Sequence, residues 1–187
     1  MPGPFLDGKS LYEIFEAEGV TFAAGVPTIW LGLLNHVQQN QLKFSTFRRS
    51  IVGGAAVPPA MIEAYREVGV DVLHGWGMTE MSPIGSTSLL APKHRDLPRA
   101  EQVKVLAKQG RALPGIQMRL VDPAGKVLPW DGRSSGDLHV RGPWVIDSYY
   151  RMDKSPLIDG WFPTGDVANI DADGYMQITD RSKDVIK

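Results

Sequence analysis

The residues best placed to do chemistry lie in "HGWGMTEM" (74–81), where Thr79 supplies a hydroxyl and Glu80 a carboxylate directly after Gly75, Trp76, Gly77 and Met78. No base stands beside Thr79, so the string does not describe a nucleophile with its activator. A hydroxyl and a carboxylate next to two glycines suit ligand contact, because glycine lets backbone approach a bound group closely. Other chemistries are poorly supported. With no cysteine, disulfides, thiolate catalysis and cysteine-ligated metals are excluded. His36, His74, His94 and His139 lack metal-ligand spacing, and no G-x-S-x-G elbow is present. "HRDL" (94–97) opens like a kinase catalytic loop, but Glu101 stands where that motif needs asparagine. "DADG" (171–174) lacks the ligand spacing of a calcium loop and reads as a turn. "GWG" is no dinucleotide fingerprint, because Glu80 occupies the place of the third glycine.

The elements that must position these groups change rhythm along the chain. Ser10 and Glu13 have capping-box spacing, with Gly19 as a stop. "VTFAA" (20–24), "RSIV" (49–52) and "DVLH" (71–74) read as strands. Residues 27–39 place Ile29, Trp30, Leu33, Leu34 and Val37 on one helical face, and residues 58–69 start with proline and end with glycine as helices do. Strands alternating with helices predict crossover units and a mostly parallel sheet. Each strand ends in small or turn-forming residues: Gly25 to Thr28, Gly53-Gly54-Ala55 and Gly75-Trp76-Gly77. Ligands of open α/β sheets bind beyond the carboxyl ends of the strands, so these three segments are expected on one edge.

From about Lys108 the pattern becomes β-rich. Residues 115–129 read as two strands around Asp-Pro-Ala-Gly, residues 136–142 alternate, and residues 160–181 read as strands joined by Asp-Ala-Asp-Gly. The expected fold class is α/β: a partial parallel α/β subdomain over 1–95, then an antiparallel β-rich subdomain over 96–187, with residues 89–102 as the seam. The chain of 187 residues is 43% apolar and 22% charged, as ordinary globular proteins are. Twenty basic against 21 acidic residues give no nucleic-acid footprint. No apolar stretch approaches the roughly 18 residues of a membrane span, and no signal peptide is evident. A cytoplasmic location is the default expectation.

Four strings, "GGAAVP" (53–58), "GWGMTE" (75–80), "GDLHVRGPWVIDSYY" (136–150) and "GWFPTGDVANIDADGYMQITDRSKDVIK" (160–187), occur in this order. Together they resemble the adenylate-forming enzymes, the superfamily of acyl-CoA synthetases, luciferases and peptide-synthetase adenylation domains. The flavour is that of a fatty-acyl-CoA ligase, and the resemblance covers essentially the whole chain. It implies a ligase that uses ATP, magnesium and coenzyme A to activate a small carboxylic acid, a fatty acid by preference, as acyl-AMP and then as thioester.

The resemblance also implies roles. Thr79 would donate to the α-phosphate, and Glu80 would hold Mg²⁺. Trp76 stands where an aromatic stacks on adenine, flanked by Gly75, Gly77 and Met78. Gly53, Gly54 and Ala55 would pass adenine and the acyl chain. Asp166 would accept from both ribose hydroxyls, Arg181 would contact ribose or phosphate, and Lys183 falls at the hinge between large and small domains. Val26, Trp30, Gly77 and Met78 would line an acyl pocket, unless they are simply core residues. A phosphate loop and the small domain carrying the family's catalytic lysine are not found, so the segment is expected to be part of a large N-terminal domain whose partner is the remainder of the enzyme. Two alternatives stay open: a non-catalytic nucleotide-binding or interaction module, and a peptide-synthetase-type adenylation domain.

Overall fold

The computed structural model describes residues 3–181, with the side chain of Arg181 outside the description. Contacts divide it into two compact units that interleave along the chain. The first comprises the chain through Gly75 together with Leu89–Ala107. The second comprises Trp76–Ser88 and the chain from Lys108 onward. The expected boundary at 95/96 therefore falls inside the first unit.

In the first unit, β1 (Phe22–Gly25), β2 (Arg49–Gly53) and β3 (Asp71–Gly77), whose last two residues open the second unit, are parallel, with β2 in the middle. Helix α2 (Pro27–Gln39) connects β1 to β2, and α3 (Pro59–Glu67) connects β2 to β3. The register Gly25↔Val52 and Val52↔His74, with Gly53↔Gly75, places the carboxyl ends of the three strands on one edge, as the alternating pattern predicts. Helix α2 occupies the predicted residues and buries Trp30, Leu33, Leu34 and Val37. Phe15 and Phe47 meet the Trp30 ring edge-on at centroid distances of 6.0 and 6.4 Å, a favoured aromatic geometry.

Several element boundaries differ from the sequence reading. Helix α1 (Gly8–Ala17) starts two residues before the predicted cap, Ser10. Asp7 caps it, accepting from the Ser10 amide at 3.0 Å and from the Ser10 hydroxyl at 2.7 Å, so Ser10 serves as donor to the cap. The expected linker 89–102 carries a short 3-10 turn, Pro92–His94, and the start of helix α4 (Arg99–Leu106). Gly75-Trp76-Gly77 belongs to β3 and is not a loop.

In the second unit, β4 (Ile84–Thr87) pairs antiparallel with β5 (Arg111–Ala112). A separate antiparallel sheet has the order β6 (Gln117–Val121), β7 (Gly136–Arg141), β8 (Phe162–Ile170), β9 (Met176–Arg181). Met118, Leu120, Leu138, Val140, Phe162, Ala168 and Ile170 form its core with Trp76 and Met81. The second strand expected within 115–129 reduces to a single bridge, Val121↔Val127. Asp122 organises that turn by accepting from the amides of Ala124 and Lys126, both at 2.9 Å. Asp171 does the same in "DADG", accepting from the amides of Asp173 and Tyr175. Its other oxygen receives Lys108 at 2.7 Å. The carboxylate thus serves the turn.

Candidate functional site

The site builds outward from the end of β3. Gly77 lies where a side chain has no room: a Cβ there would stand 1.9 Å from the Pro83 carbonyl oxygen and 2.8 Å from Ile84 Cα. This close return of the backbone makes glycine necessary. The following residues form a 3-10 turn, Thr79–Met81, entered through extended Met78. Met81 is fully buried and anchors the turn, Thr79 is exposed, and Glu80 is half-buried. A hydroxyl and a carboxylate are thereby presented from a fixed support.

Asp166 reaches the same part of the second unit from the sheet. Trp76 Nε1 donates to Asp166 Oδ2 at 3.0 Å, across 90 residues of chain. Both residues are buried, at 8% and 9% exposure, so water competes weakly for the bond. The amide of Asp166 also donates to the Thr164 hydroxyl at 3.2 Å. Arg181 is the cross-strand partner of Asp166 in the β8–β9 register. Lys183 lies outside the described residues.

A residue missed in the sequence completes this corner. Tyr149 donates its hydroxyl to Glu80 Oε1 at 2.8 Å. The phenol is pushed above its ordinary value near 10, first by that hydrogen bond, then by desolvation and by the charge of Glu80. The Ile146 amide donates to the Glu80 backbone carbonyl at 2.9 Å, and Trp144 Nε1 donates to the Ile84 carbonyl at 3.1 Å. The segment after β7 therefore holds Glu80 at two points and the start of β4 at a third. Tyr149 sits in the recognised string "SYY", but its partner is 69 residues away, a pairing that no local spacing reveals.

The first unit carries the remaining candidates. Gly53 faces Gly75 in register, and a Cβ on Gly53 would stand 2.5 Å from the Gly75 carbonyl oxygen. Gly54 follows with φ +81, the left-handed region that favours glycine. His74 is buried beneath this turn, with Nδ1 2.9 Å from the Ala107 carbonyl oxygen and a second backbone contact at Ala55. Burial holds its pKa below the ordinary value. Trp30 is a core residue, 3% exposed, whose indole N–H donates to the Ser50 hydroxyl. Val26 is 44% exposed at the N-cap of α2.

The first unit carries parallel strands with glycine-rich carboxyl ends, and in the second unit an antiparallel sheet brings Asp166 to Trp76. The family model for AMP-binding enzymes matches residues 1–150, and the chain belongs to that family. It is 52% identical over 189 aligned positions to the 3-methylmercaptopropionyl-CoA ligase of Ruegeria lacuscaerulensis, covering 100% of this chain and 35% of that protein. It is 47% identical to the medium-chain-fatty-acid–CoA ligase of Ectopseudomonas oleovorans, again over 100% of this chain and 35% of the relative. A crystal structure of the anthranilate CoA ligase AuaEII in complex with anthranoyl-AMP superposes with a TM-score of 0.79 at 27% identity, covering 100% of this chain and 34% of that one. The chain thus spans about a third of the length of the relatives it matches.

Among the described residues, no group of three or more His, Cys, Asp or Glu side chains could hold a metal ion, and no helix is long and apolar enough to cross a membrane.

Proposed function

We propose that this chain is part of an AMP-forming acyl-CoA ligase that activates a small apolar carboxylic acid, a fatty acid or a close relative of similar polarity. The observation that supports the reading best is the buried Trp76–Asp166 hydrogen bond, which ties the carboxylate from β8 to the strand that delivers Thr79 and Glu80. In the proposed reaction, an oxygen of the acid's carboxylate attacks the α-phosphorus of ATP, and the bond to pyrophosphate breaks. The thiol sulfur of coenzyme A then attacks the acyl carbon, and AMP leaves. Asp166 accepts hydrogen bonds from the ribose hydroxyls, two oxygens serving a vicinal pair. Arg181 contacts ribose or phosphate. The Thr79 hydroxyl donates to the α-phosphate, where pre-organised donors act on developing charge.

The donor set suits magnesium. Glu80 offers hard carboxylate oxygen, and magnesium is commonly held by one or two carboxylates together with substrate phosphates. Bound there with ATP, the ion supplies Lewis-acid charge that neutralises the phosphates. The Gly53–Ala55 turn passes the nucleotide and acyl group, and Val26, Gly77 and Met78 contribute apolar surface for the acid. The two ligases named above, acting on 3-methylmercaptopropionate and on medium-chain fatty acids, favour an apolar acid. A cytoplasmic setting, where ATP and coenzyme A are available, belongs to the same proposal.

The test is ATP–pyrophosphate exchange by the full-length protein that carries this segment, with straight-chain acids, thioether acids and amino acids as separate arms. Exchange with the apolar acids, followed by thioester on adding coenzyme A, is expected. Exchange driven only by amino acids would replace the reading with a peptide-synthetase type. Nucleotide binding without exchange would replace it with a non-catalytic module.

A further inference from the structure

We propose that Tyr149 is a positioning residue for Glu80: its hydroxyl holds one carboxylate oxygen and leaves the other as the ligand for a divalent cation. The inference rests on the proposed role of Glu80 in binding magnesium. Glu80 Oε1 receives the Tyr149 hydroxyl at 2.8 Å, and among the described residues Oε2 has no hydrogen-bond donor. The carboxylate has several rotatable bonds and sits on a half-exposed turn, so without this contact it would sample several orientations. Fixing one oxygen removes that freedom before the cation arrives. Carboxylate ligands of metals are commonly held in this way by an outer hydrogen bond.

Tyr149 is itself held. The Asp147 carbonyl accepts from the Ser155 hydroxyl at 2.9 Å, and the Ser155 hydroxyl accepts from the Leu157 amide at 3.2 Å. The Met152 amide donates to the Tyr149 carbonyl at 3.2 Å. The Ile146 amide fixes the Glu80 backbone from the same segment. Donor and acceptor are thus both braced, and the bond is a feature of the loop's fold. Its neighbour Tyr150 is 85% exposed and makes no comparable contact with Glu80.

The experiment measures ATP binding to the full-length protein by calorimetry over a series of Mg²⁺ and Mn²⁺ concentrations, for wild type, Tyr149→Phe, Tyr150→Phe and Glu80→Gln, with melting temperatures as the control for folding. Loss of an outer hydrogen bond to a metal ligand typically costs about 10- to 100-fold in metal affinity. Tyr149→Phe is therefore expected to raise the cation concentration for half-saturation by about that factor, with metal-free AMP affinity unchanged. Tyr150→Phe should leave the midpoint in place. A wild-type cation midpoint in Tyr149→Phe beside a shifted one in Glu80→Gln overturns the positioning role and leaves the function reading standing. A wild-type midpoint in Glu80→Gln overturns the magnesium role of Glu80 and this inference with it.

Discussion

Replacing Trp76 by phenylalanine isolates the contact that joins the two halves of the proposed nucleotide site. The ring keeps an aromatic surface, while the indole N–H that reaches Asp166 Oδ2 at 3.0 Å is lost. Trp76 and Asp166 are both more than nine-tenths buried, so water replaces the missing donor poorly. Hydrogen bonds to charged groups contribute about 1.5–3 kcal/mol, which is about 10- to 150-fold in an equilibrium constant. If Asp166 receives the ribose, that orienting energy is spent in nucleotide binding, and Trp76→Phe should weaken AMP by up to this factor. Asp166→Ala should weaken AMP by about the same amount through loss of the ribose contacts themselves. The two changes should not add: a double-mutant cycle should give a coupling of about 1.5–3 kcal/mol, because either change removes the same bond. Calorimetric titration of AMP into the full-length protein and its three variants is the assay. Wild-type AMP affinity in Trp76→Phe, or additive losses in the double mutant, would refute the claim that Trp76 orients Asp166 for the nucleotide.

Gly77→Ala should lower the unfolding midpoint strongly, because its Cβ would meet main chain at 1.9 Å and forced overpacking costs about 1–3 kcal/mol or more. A wild-type thermal melt would show that the return at Pro83 is not as tight as described. Asp166→Ala should also lower ATP–pyrophosphate exchange at limiting ATP by about 10- to 150-fold, and unchanged ATP dependence would remove Asp166 from the site. His74 gives a pH prediction. Burial depresses its folded pKa, so its contribution to stability is complete above the unfolded value of about 6.5. That contribution is lost as pH falls from there through the depressed folded value. Melting temperatures between about pH 7.5 and 5.5 should fall less steeply in His74→Gln than in wild type, and equal slopes would contradict the assignment.

Much of the fold was legible because local and tertiary signals agree. Pro27 starts α2 and the stripe Trp30, Leu33, Leu34, Val37 faces the core, so pattern and packing give the same boundaries. The parallel edge followed from strands alternating with helices, and the register bears it out. Where the reading differed, a competing contact decided. Asp7 captures the Ser10 amide and hydroxyl, which moves the start of α1 upstream. Gly75 and Gly77 look like loop residues, yet Gly53 and Gly75 pair in register, where a side chain on Gly53 would collide with the neighbouring carbonyl. Helix α4 mixes charged and apolar residues without a clean face, so its sequence reads as a linker. The units interleave because 76–88 and 89–107 each pack with the unit remote in sequence, which composition does not encode.

The site divides in the same way. Thr79, Glu80 and Asp166 stood out as motif residues, and the Trp76–Asp166 bond joins two of the motif strings. The bond itself was not legible, since Trp76 resembled a stacking residue and its N–H partner lies 90 residues on. The hold of Tyr149 on Glu80 was hidden for the same reason. Trp30, one of the residues expected at an acyl pocket or in the core, packs against Phe15 and Phe47; an aromatic in an amphipathic helix carries the same sequence signal whether it lines a pocket or a core.

The most direct test of the central claim is a crystal structure of the full-length protein with a non-hydrolysable acyl-AMP analogue. The account predicts the ribose hydroxyls on the carboxylate of Asp166 and the α-phosphate group on the hydroxyl of Thr79. An analogue bound with its ribose away from Asp166 and its phosphate away from Thr79 would contradict it.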